Sequence, residues 1–415
     1  MPELQHTVRR MMGRDPAESG RASTPLELLF DLTFVIAFGA ASDELAHALV
    51  EDHVREGVLA FLLATFAVSW AWINFTWFAS AYDTDDWPFR LTTMVQMVGV
   101  LVLALGLPDM FESVTRHEEH LDVQLMVVGY VIMRLPMVFQ WLRAGRQDPA
   151  RRALCSKMVG TLLVAQAGWV LMIFANPSMG LTVVLVLVLV GIELAGPVLA
   201  EKLHGGTPWH GHHIAERYGL MVIIALGEGL LGTTAALGAL VAEGWSVDIV
   251  VLGLAGVALT FGLWWTYFVI PHGHLLTAFR HRSFAWGYGQ MFVFGAVVAM
   301  GAGLHAAAYY LDDHSELTAT GTVLTVAVPV AVYVGLLYLL YSVLTRSLDP
   351  FHVVLITGSA VLLVLSVGLA WAGVDMVWCL AVLALVPWVT VVGYEVVGYR
   401  HNAEVLSAIE ESSTP

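Results

Sequence analysis

The sequence predicts an all-α polytopic membrane protein with about twelve transmembrane helices. Of its 415 residues, 58% are hydrophobic and only 13% are charged, whereas soluble domains carry about 25% charged residues. The apolar residues stand in long blocks, such as 181–192 and 323–340. A helix needs about 20 such residues to cross the hydrocarbon core of a bilayer. The blocks do not alternate in short segments, as the strands of a transmembrane barrel would.

The predicted spans are apolar segments separated by polar residues and helix breakers. They cover residues 26–48, 57–80, 90–108, 122–143, 154–175, 180–200, 214–241, 247–270, 284–309, 319–345, 351–373 and 376–399. An even number of spans places both termini on the same side of the membrane.

The distribution of basic residues predicts which side that is. Fifteen lysines and arginines fall on the side of the N-terminus and two on the opposite side, while Arg134 and Arg217 lie within spans. Because cytoplasmic loops are enriched in lysine and arginine, we expect both termini in the cytoplasm and the protein in the plasma (inner) membrane. We also expect the basic N-terminal tail to meet anionic lipid headgroups.

Overall charge and motif content exclude several functions. The net charge of −15 argues against a nucleic-acid partner. Cys155 and Cys379 are far apart and form no metal or disulfide motif. No HExxH, GxSxG or ATP-binding loop is present. We therefore predict no enzyme activity and no cofactor, and the oligomeric state stays open.

Four pairs of matching motifs suggest that the two halves are tandem copies. Glu27 matches Glu216, Gln96-Met97 matches Gln290-Met291, Asp148-Pro149 matches Asp349-Pro350, and Glu193 matches Glu395 within two GxExxG segments. The predicted organisation is a tail (1–25), a six-helix repeat (26–200), a linker (201–213), a second repeat (214–399) and a tail (400–415). Parallel repeats of this kind occur in transporters whose substrate site lies near the interface of the halves.

Five charged residues inside or at the ends of predicted spans are the leading site candidates: Glu27, Asp31, Glu216, Arg217 and Glu228. A charge at the bilayer centre costs about 2.5–3.5 kcal/mol, so such groups usually face a protein interior or an aqueous path. Structural alternatives stay open. Thr24 and Glu27 fit a helix-capping box, Glu216 and Arg217 fit an ion pair, and Glu228 fits a protonated packing residue.

Two further groups of residues are secondary candidates. Asp83, Asp85, Asp86 and Arg90 follow the second span, where they could bind a cation, cap a helix or lock two helices together. Glu193 and Glu395 lie near the ends of spans six and twelve, where snorkelling or packing competes with a functional role.

A histidine cluster precedes span seven. His212 and His213 would share a helix face with Glu216, a spacing that metal ligands use. A cluster of histidines at the membrane interface is the ordinary alternative, so no metal site is predicted and the two histidines are only weak candidates.

Three segments of the chain resemble the bacterial low temperature requirement A family. They are 24–32, 82–90, and 213–217 with its continuation 223–228. The resemblance covers nearly the whole chain. It implies an integral membrane protein and supplies no substrate or catalytic residue.

The charged residues predict a secondary transporter of a small solute, with proton coupling at Glu228. Glu27, Asp31, Glu216 and Arg217 would form a polar cavity where spans one and seven meet. The alternative is a membrane sensor or a structural factor for cold adaptation of the envelope, in which the charges only hold helices together.

Overall fold

The structure, a computed structural model, describes residues 8–241, 246–347, 349–398 and residue 407. These residues form helices and no strands. Twelve helical segments are long and apolar enough to cross a membrane. The predicted all-α polytopic fold with about twelve spans is thus confirmed.

Fifteen α-helices make up the twelve spans. Their bounds are α1 Pro25–Val50, α2 Val54–Tyr82, α3 Trp87–Leu105, α4 Leu107–Thr115, α5 Gln124–Gln147, α6 Arg152–Ala175, α7 Met179–His204, α8 Gly211–Val241, α9 Val247–Phe268, α10 His272–Ala278, α11 Ser283–Leu311, α12 Ala319–Thr345, α13 Pro350–Trp371, α14 Met376–Leu383 and α15 Val386–Gly393. Short 3-10 turns precede α6 and α11, and a π-helical turn, Tyr394–Gly398, follows α15.

Local chemistry explains where several helices begin and end. The side chains of Asp86, Thr318 and Asp349 cap α3, α12 and α13 by accepting a hydrogen bond from a backbone N–H of the first turn. Asn176 ends α6 in the left-handed conformation, with φ of 40°. Asparagine tolerates this conformation better than most residues.

The chain divides into two compact units. Unit 1 comprises Met1–Ala40 and Ala67–Ile214, and unit 2 comprises Ala41–Phe66 and Ala215–Pro415. The first and second helices therefore each contribute to both units. The predicted tandem repeat of 26–200 and 214–399 stays a prediction. The predicted C-terminal tail lies outside the described residues apart from residue 407.

In unit 1, helices α3, α5, α6 and α7 pack as sequential neighbours. Gly99 of α3 and Gly129 of α5 permit these two helices to approach closely, since a Cβ on Gly99 would lie 2.7 Å from the carbonyl oxygen of Gly129. Small residues allow this kind of contact between membrane helices. A polar contact reinforces it, because Gln96 Nε2 donates to Gln140 Oε1 at 3.3 Å.

In unit 2, helix α11 packs extensively against α12. Nineteen of its 29 residues are buried. Helices α14 and α15 contact α9 on one side and α13 on the other. Helix α13 instead exposes apolar side chains such as Val354 and Val364, which suits a face that meets lipid.

The N-terminal segment, residues 8–24, packs on unit 1 instead of extending as a tail. The backbone N–H of Arg9 donates to Asp86 Oδ2 at 2.9 Å, and that of Arg14 donates to the Ala81 carbonyl at 2.9 Å. Met11 is fully buried. The physical reason is that buried carboxylates such as Asp86 and Asp148 need hydrogen-bond donors, and this segment supplies them.

Candidate functional site

The start of α1 forms the capping box that the sequence predicts. The backbone N–H of Thr24 donates to Glu27 Oε2 at 2.8 Å, and the N–H of Glu27 donates to Thr24 Oγ1 at 3.3 Å. Glu27 is fully buried and also contacts two cationic or titratable groups. Arg21 Nη2 lies 3.4 Å from its Oε1 and His213 Nε2 lies 3.2 Å from it. Glu27 thus both caps the helix and joins a buried charge cluster.

Asp83 extends this cluster at the end of α2. Its Oδ2 lies 3.6 Å from Arg21 Nη2. Burial, reinforced by the neighbouring Glu27 carboxylate and opposed by Arg21, raises the pKa of Asp83 to about 6. The cluster therefore contains a carboxyl that titrates close to physiological pH.

Asp31 lies one helical turn beyond Glu27 and is also buried. Its Oδ1 accepts a hydrogen bond from Trp72 Nε1 at 2.6 Å. The indole N–H is a donor only, so it stabilises a carboxylate oxygen at this depth. The predicted helix face that carries Glu27 and Asp31 therefore points into unit 1.

The charged residues of the loop after α2 take part in two separate ion pairs. Asp85 and Arg90 form an exposed ion pair at 2.8 Å. Asp86 is buried, caps α3 and binds the guanidinium of Arg143 through both carboxylate oxygens. Burial raises the pKa of Asp86, but the hydrogen bonds from Arg143 and from backbone N–H groups outweigh it and hold the pKa below its ordinary value. This arrangement is a structural lock between α3 and α5.

Glu193 is the centre of a second buried charge cluster in unit 1. Its Oε2 accepts from Trp70 Nε1 at 2.5 Å and lies 3.4 Å from Arg134 Nη2, while its Oε1 accepts from Trp169 Nε1 at 3.3 Å. Arg134 also donates to the hydroxyl of Tyr130. Buried charges are normally paired. Arg134, an isolated arginine inside span four, was therefore a signal in the sequence that Glu193 would have a cationic partner.

Helix α8 carries the remaining primary candidates. Glu216 is exposed, whereas Arg217 is fully buried. Both lie in unit 2, while Glu27 and Asp31 lie in unit 1. Their predicted convergence on one cavity stays a prediction.

The two histidines in the first turn of α8 have different environments. His212 is exposed and His213 is buried against Glu27. Among the described residues, no group of three or more histidine, cysteine, aspartate or glutamate side chains has the arrangement of a metal site.

Glu228 is buried in the middle of α8. It lies about 25 Å along the axis from Gly211 and about 20 Å from Val241, at 1.5 Å per residue. Helix α11 approaches closely here, because a Cβ on Gly301 would lie 2.6 Å from the Cβ of Glu228. Two nearby glycines of α8 also serve close packing, because a Cβ on Gly232 would lie 2.7 Å from the Gly301 carbonyl oxygen and one on Gly229 would lie 2.8 Å from the Met300 side chain.

Two residues that sequence reasoning missed accompany Glu228 in unit 2. His305 of α11 and Asp43 of α1 both lie within electrostatic range of its carboxyl. His305 Nδ1 is 3.3 Å from Asp43 Oδ1, and the Asp43 side chain is 57% exposed. The signal in the sequence was a single histidine in an otherwise apolar span and an aspartate near the end of the first span.

Glu395 lies in the π-helical turn after α15, where it is exposed and borders a cavity. Its surroundings therefore differ from those of Glu193, although both belong to GxExxG segments.

Comparisons with known proteins agree with the fold. The family model described as bacterial low temperature requirement A protein matches residues 22–387. A Rhizobium meliloti (strain 1021) protein, described as uncharacterized protein RA0937, is 32% identical over 227 residues. That match covers 52% of this chain and 52% of the relative, so about half of each protein is matched. No solved structure matches. Because the family model covers most of the chain, the protein belongs to the bacterial low temperature requirement A family.

Proposed function

We propose that the protein is a secondary transporter that couples the movement of a small solute to protons, with Glu228 as the proton carrier. One observation carries the proposal: a buried carboxyl in the middle of a long apolar helix lies within electrostatic range of His305, whose Nδ1 is 3.3 Å from the exposed Asp43. This series of titratable groups leads from the membrane interior to the surface of unit 2.

The chemistry of the three groups fits proton transfer. A carboxyl at this depth is costly when ionised, by about 2.5–3.5 kcal/mol, and the cost disappears when it takes up a proton. An imidazole can accept a proton at one ring nitrogen and release it from the other. Asp43 lies about 10 Å from the end of α1, at 1.5 Å per residue, and its side chain forms the exposed end of the series.

Water is expected between His305 and Glu228. Within the described residues, His305 Nε2 and the hydroxyl of Thr260 are buried without a hydrogen-bond partner. Thr260 lies next to Gly229, the residue after Glu228. Buried polar groups of this kind are usually satisfied by ordered water, and a water here would bridge the imidazole and the carboxyl.

Glu228 also differs from a purely structural glutamate in the same protein. Glu193 has an arginine and two indole N–H groups as partners. In the described part of the chain, Glu228 has neither an arginine nor a lysine as an ion-pair partner. A carboxyl without a fixed cation can change its protonation state at a lower cost.

The second candidate function is a membrane sensor or structural factor without transport. The Arg134–Glu193 and Arg143–Asp86 pairs favour it for unit 1, because these charges are fully used in holding helices together. Under this alternative, Glu228→Gln changes stability and leaves every flux unaffected. Neither candidate includes an enzymatic step, and the absence of enzyme activity stays a prediction.

The first experiment measures solute-triggered current in proteoliposomes at several pH values. The panel contains amino acids, organic anions, organic cations and divalent metals. We expect a pH-dependent current for one class, its loss in Glu228→Gln, and wild-type current in Glu112→Gln, a control at an exposed carboxylate. His305→Gln should slow the current and change its pH dependence.

A second measurement needs no knowledge of the solute. Infrared difference spectra recorded across a pH step detect the C=O band of a carboxyl that takes up a proton. We expect a band that Glu228→Gln removes and Glu112→Gln keeps. A folded protein with neither that band nor any current would refute proton coupling at Glu228.

A further inference from the structure

A cavity of about 620 Å³ in unit 2 combines aromatic walls with a carboxylate. Its lining residues are Phe261, Trp264, Trp265, Phe268, Val269, Tyr394 and Glu395. The volume falls within the roughly 300–1,000 Å³ that is typical of small-molecule sites.

The aromatic rings support one another and form a defined wall. The Phe261 ring centroid lies 5.3 Å from that of Trp264 and 5.7 Å from that of Trp265. Ring faces carry negative electrostatic potential, and tryptophan attracts cations most strongly. Such a wall favours an organic cation.

The opposite side of the cavity supplies the charge. Tyr394 is held in place because its hydroxyl lies 2.6 Å from His352 Nε2. Glu395 follows it in the π-helical turn, an uncommon conformation that is frequent at functional sites. In the described part of the chain, Glu395 has no ion-pair partner.

The first half of the protein shows what such a glutamate requires. Glu193 is neutralised by Arg134 and accepts a hydrogen bond from Trp70. The predicted tandem repeat aligns Trp264 with Trp70, because these two residues are as far apart in the chain as Gln290 and Gln96. The second half has no equivalent of Arg134, because α12 contains no charged residue. The carboxylate and the indole are therefore both present, whereas the cation is missing.

We propose that this cavity binds an organic ammonium cation, with Glu395 balancing its charge and Trp264 and Trp265 packing on its alkyl groups. Inorganic cations fit poorly, because hard metal ions need several oxygen ligands to replace their water. The ammonium group comes from a free organic cation or from an amine-bearing lipid headgroup. The site shares no residue with the proposed proton path and does not depend on it.

The test is calorimetric titration of the full-length protein in a maltoside detergent. The probes are tetramethylammonium, choline and 3,3-dimethyl-1-butanol, the neutral isostere of choline. We expect both cations to bind and the neutral isostere to bind at least ~10-fold more weakly, which corresponds to about 1.4 kcal/mol.

Variants locate the site. Glu395→Gln and Trp264→Leu should each weaken tetramethylammonium binding by roughly 10-fold. The matched controls are Glu112→Gln and Trp371→Leu, which alter an exposed carboxylate and an exposed tryptophan elsewhere. Both controls should bind like the wild type.

Nanodiscs distinguish the two sources of the ammonium group. If the headgroup of phosphatidylethanolamine occupies the cavity, adding that lipid to phosphatidylglycerol discs weakens tetramethylammonium binding to the wild type. If the occupant is a free cation, the affinity is the same in both discs. Absence of cation binding, equal binding of the neutral isostere, or wild-type affinity in both site variants would overturn the proposal.

Discussion

The buried Arg134–Glu193 pair makes a strong prediction about stability. Both side chains are almost inaccessible, with 1% and 2% exposure, and their closest N–O distance is 3.4 Å. Removing one partner of a buried pair leaves the other charge uncompensated, which typically costs about 3–5 kcal/mol. Arg134→Met should therefore lower the free energy of unfolding by roughly that amount, although Trp70 and Trp169 still donate to Glu193.

A double-mutant cycle separates the charge from the packing. In Arg134→Met/Glu193→Gln, no buried charge is left, and the single glutamine oxygen can still accept from one of the two indoles. The double variant should be more stable than Arg134→Met alone, with a coupling energy of about 2 kcal/mol or more.

The assay is equilibrium unfolding of the purified protein in mixed detergent micelles with increasing SDS. The exposed Arg116–Glu112 pair is the matched control, since Arg116→Met should change the unfolding free energy by no more than about 0.5 kcal/mol. If Arg134→Met costs less than about 1 kcal/mol, or if the two substitutions are simply additive, the pair does not act as an isolated buried charge pair.

Three further predictions concern other parts of the structure. The pKa of Asp83 is raised to about 6 from 3.8, so its stabilising contribution is full below pH 3.8 and is lost as the pH rises through about 6. Over this pH range, the free energy of unfolding of the wild type should fall by up to about 3 kcal/mol relative to that of Asp83→Asn. The measurement is thermal unfolding at a series of pH values, and the same pH dependence of stability in both proteins would contradict the prediction. Thr24→Ala removes one half of the capping box at α1 and should cost about 1 kcal/mol in the same thermal assay, whereas Thr24→Ser should retain most of the stability. Gly301→Ala places a methyl group 2.6 Å from the Cβ of Glu228 and should lower the free energy of unfolding by about 1–3 kcal/mol. The control is Gly335→Ala, whose methyl group meets no atom within 4 Å and should not destabilise the protein. Equal effects of the two substitutions would show that α8 and α11 do not approach each other as described.

The buried charges of unit 1 bear on how function is divided in the molecule. Glu27, Asp86 and Glu193 each have a cationic partner and at least one further hydrogen-bond donor. Such paired groups hold helices in register, because removing one partner leaves a buried charge uncompensated. Glu228 has titratable neighbours instead, which is why the proposed proton path lies in unit 2.

The N-terminal segment shows a limit of reasoning from composition. Its arginines predict a contact with anionic lipid. The structure places the guanidinium of Arg21 against the carboxylates of Glu27 and Asp83, while the backbone N–H of Arg9 donates to Asp86. Both kinds of partner are anionic, so the charge of the segment alone could not distinguish them. The distinction depends on where Asp83 and Asp86 lie after folding.

Sequence alone determined the membrane architecture. Lengths of apolar segments and the breakers between them predict twelve spans, because a bilayer of fixed thickness requires helices of a narrow range of lengths. The sequence also predicts the capping box at Thr24 and Glu27, because this motif depends on two residues that are three apart in the chain. These are local properties, and local patterns are sufficient for them.

Tertiary structure decided which charged residues act together. Arg134 and Glu193 are 59 residues apart, and Asp43 and His305 lie on the first and eleventh α-helices. No periodicity links such positions, because the rotation of each helix about its axis is set by packing against its neighbours. The sequence could name Glu228 as a costly group in the membrane, whereas only the packed helices could reveal its neighbours.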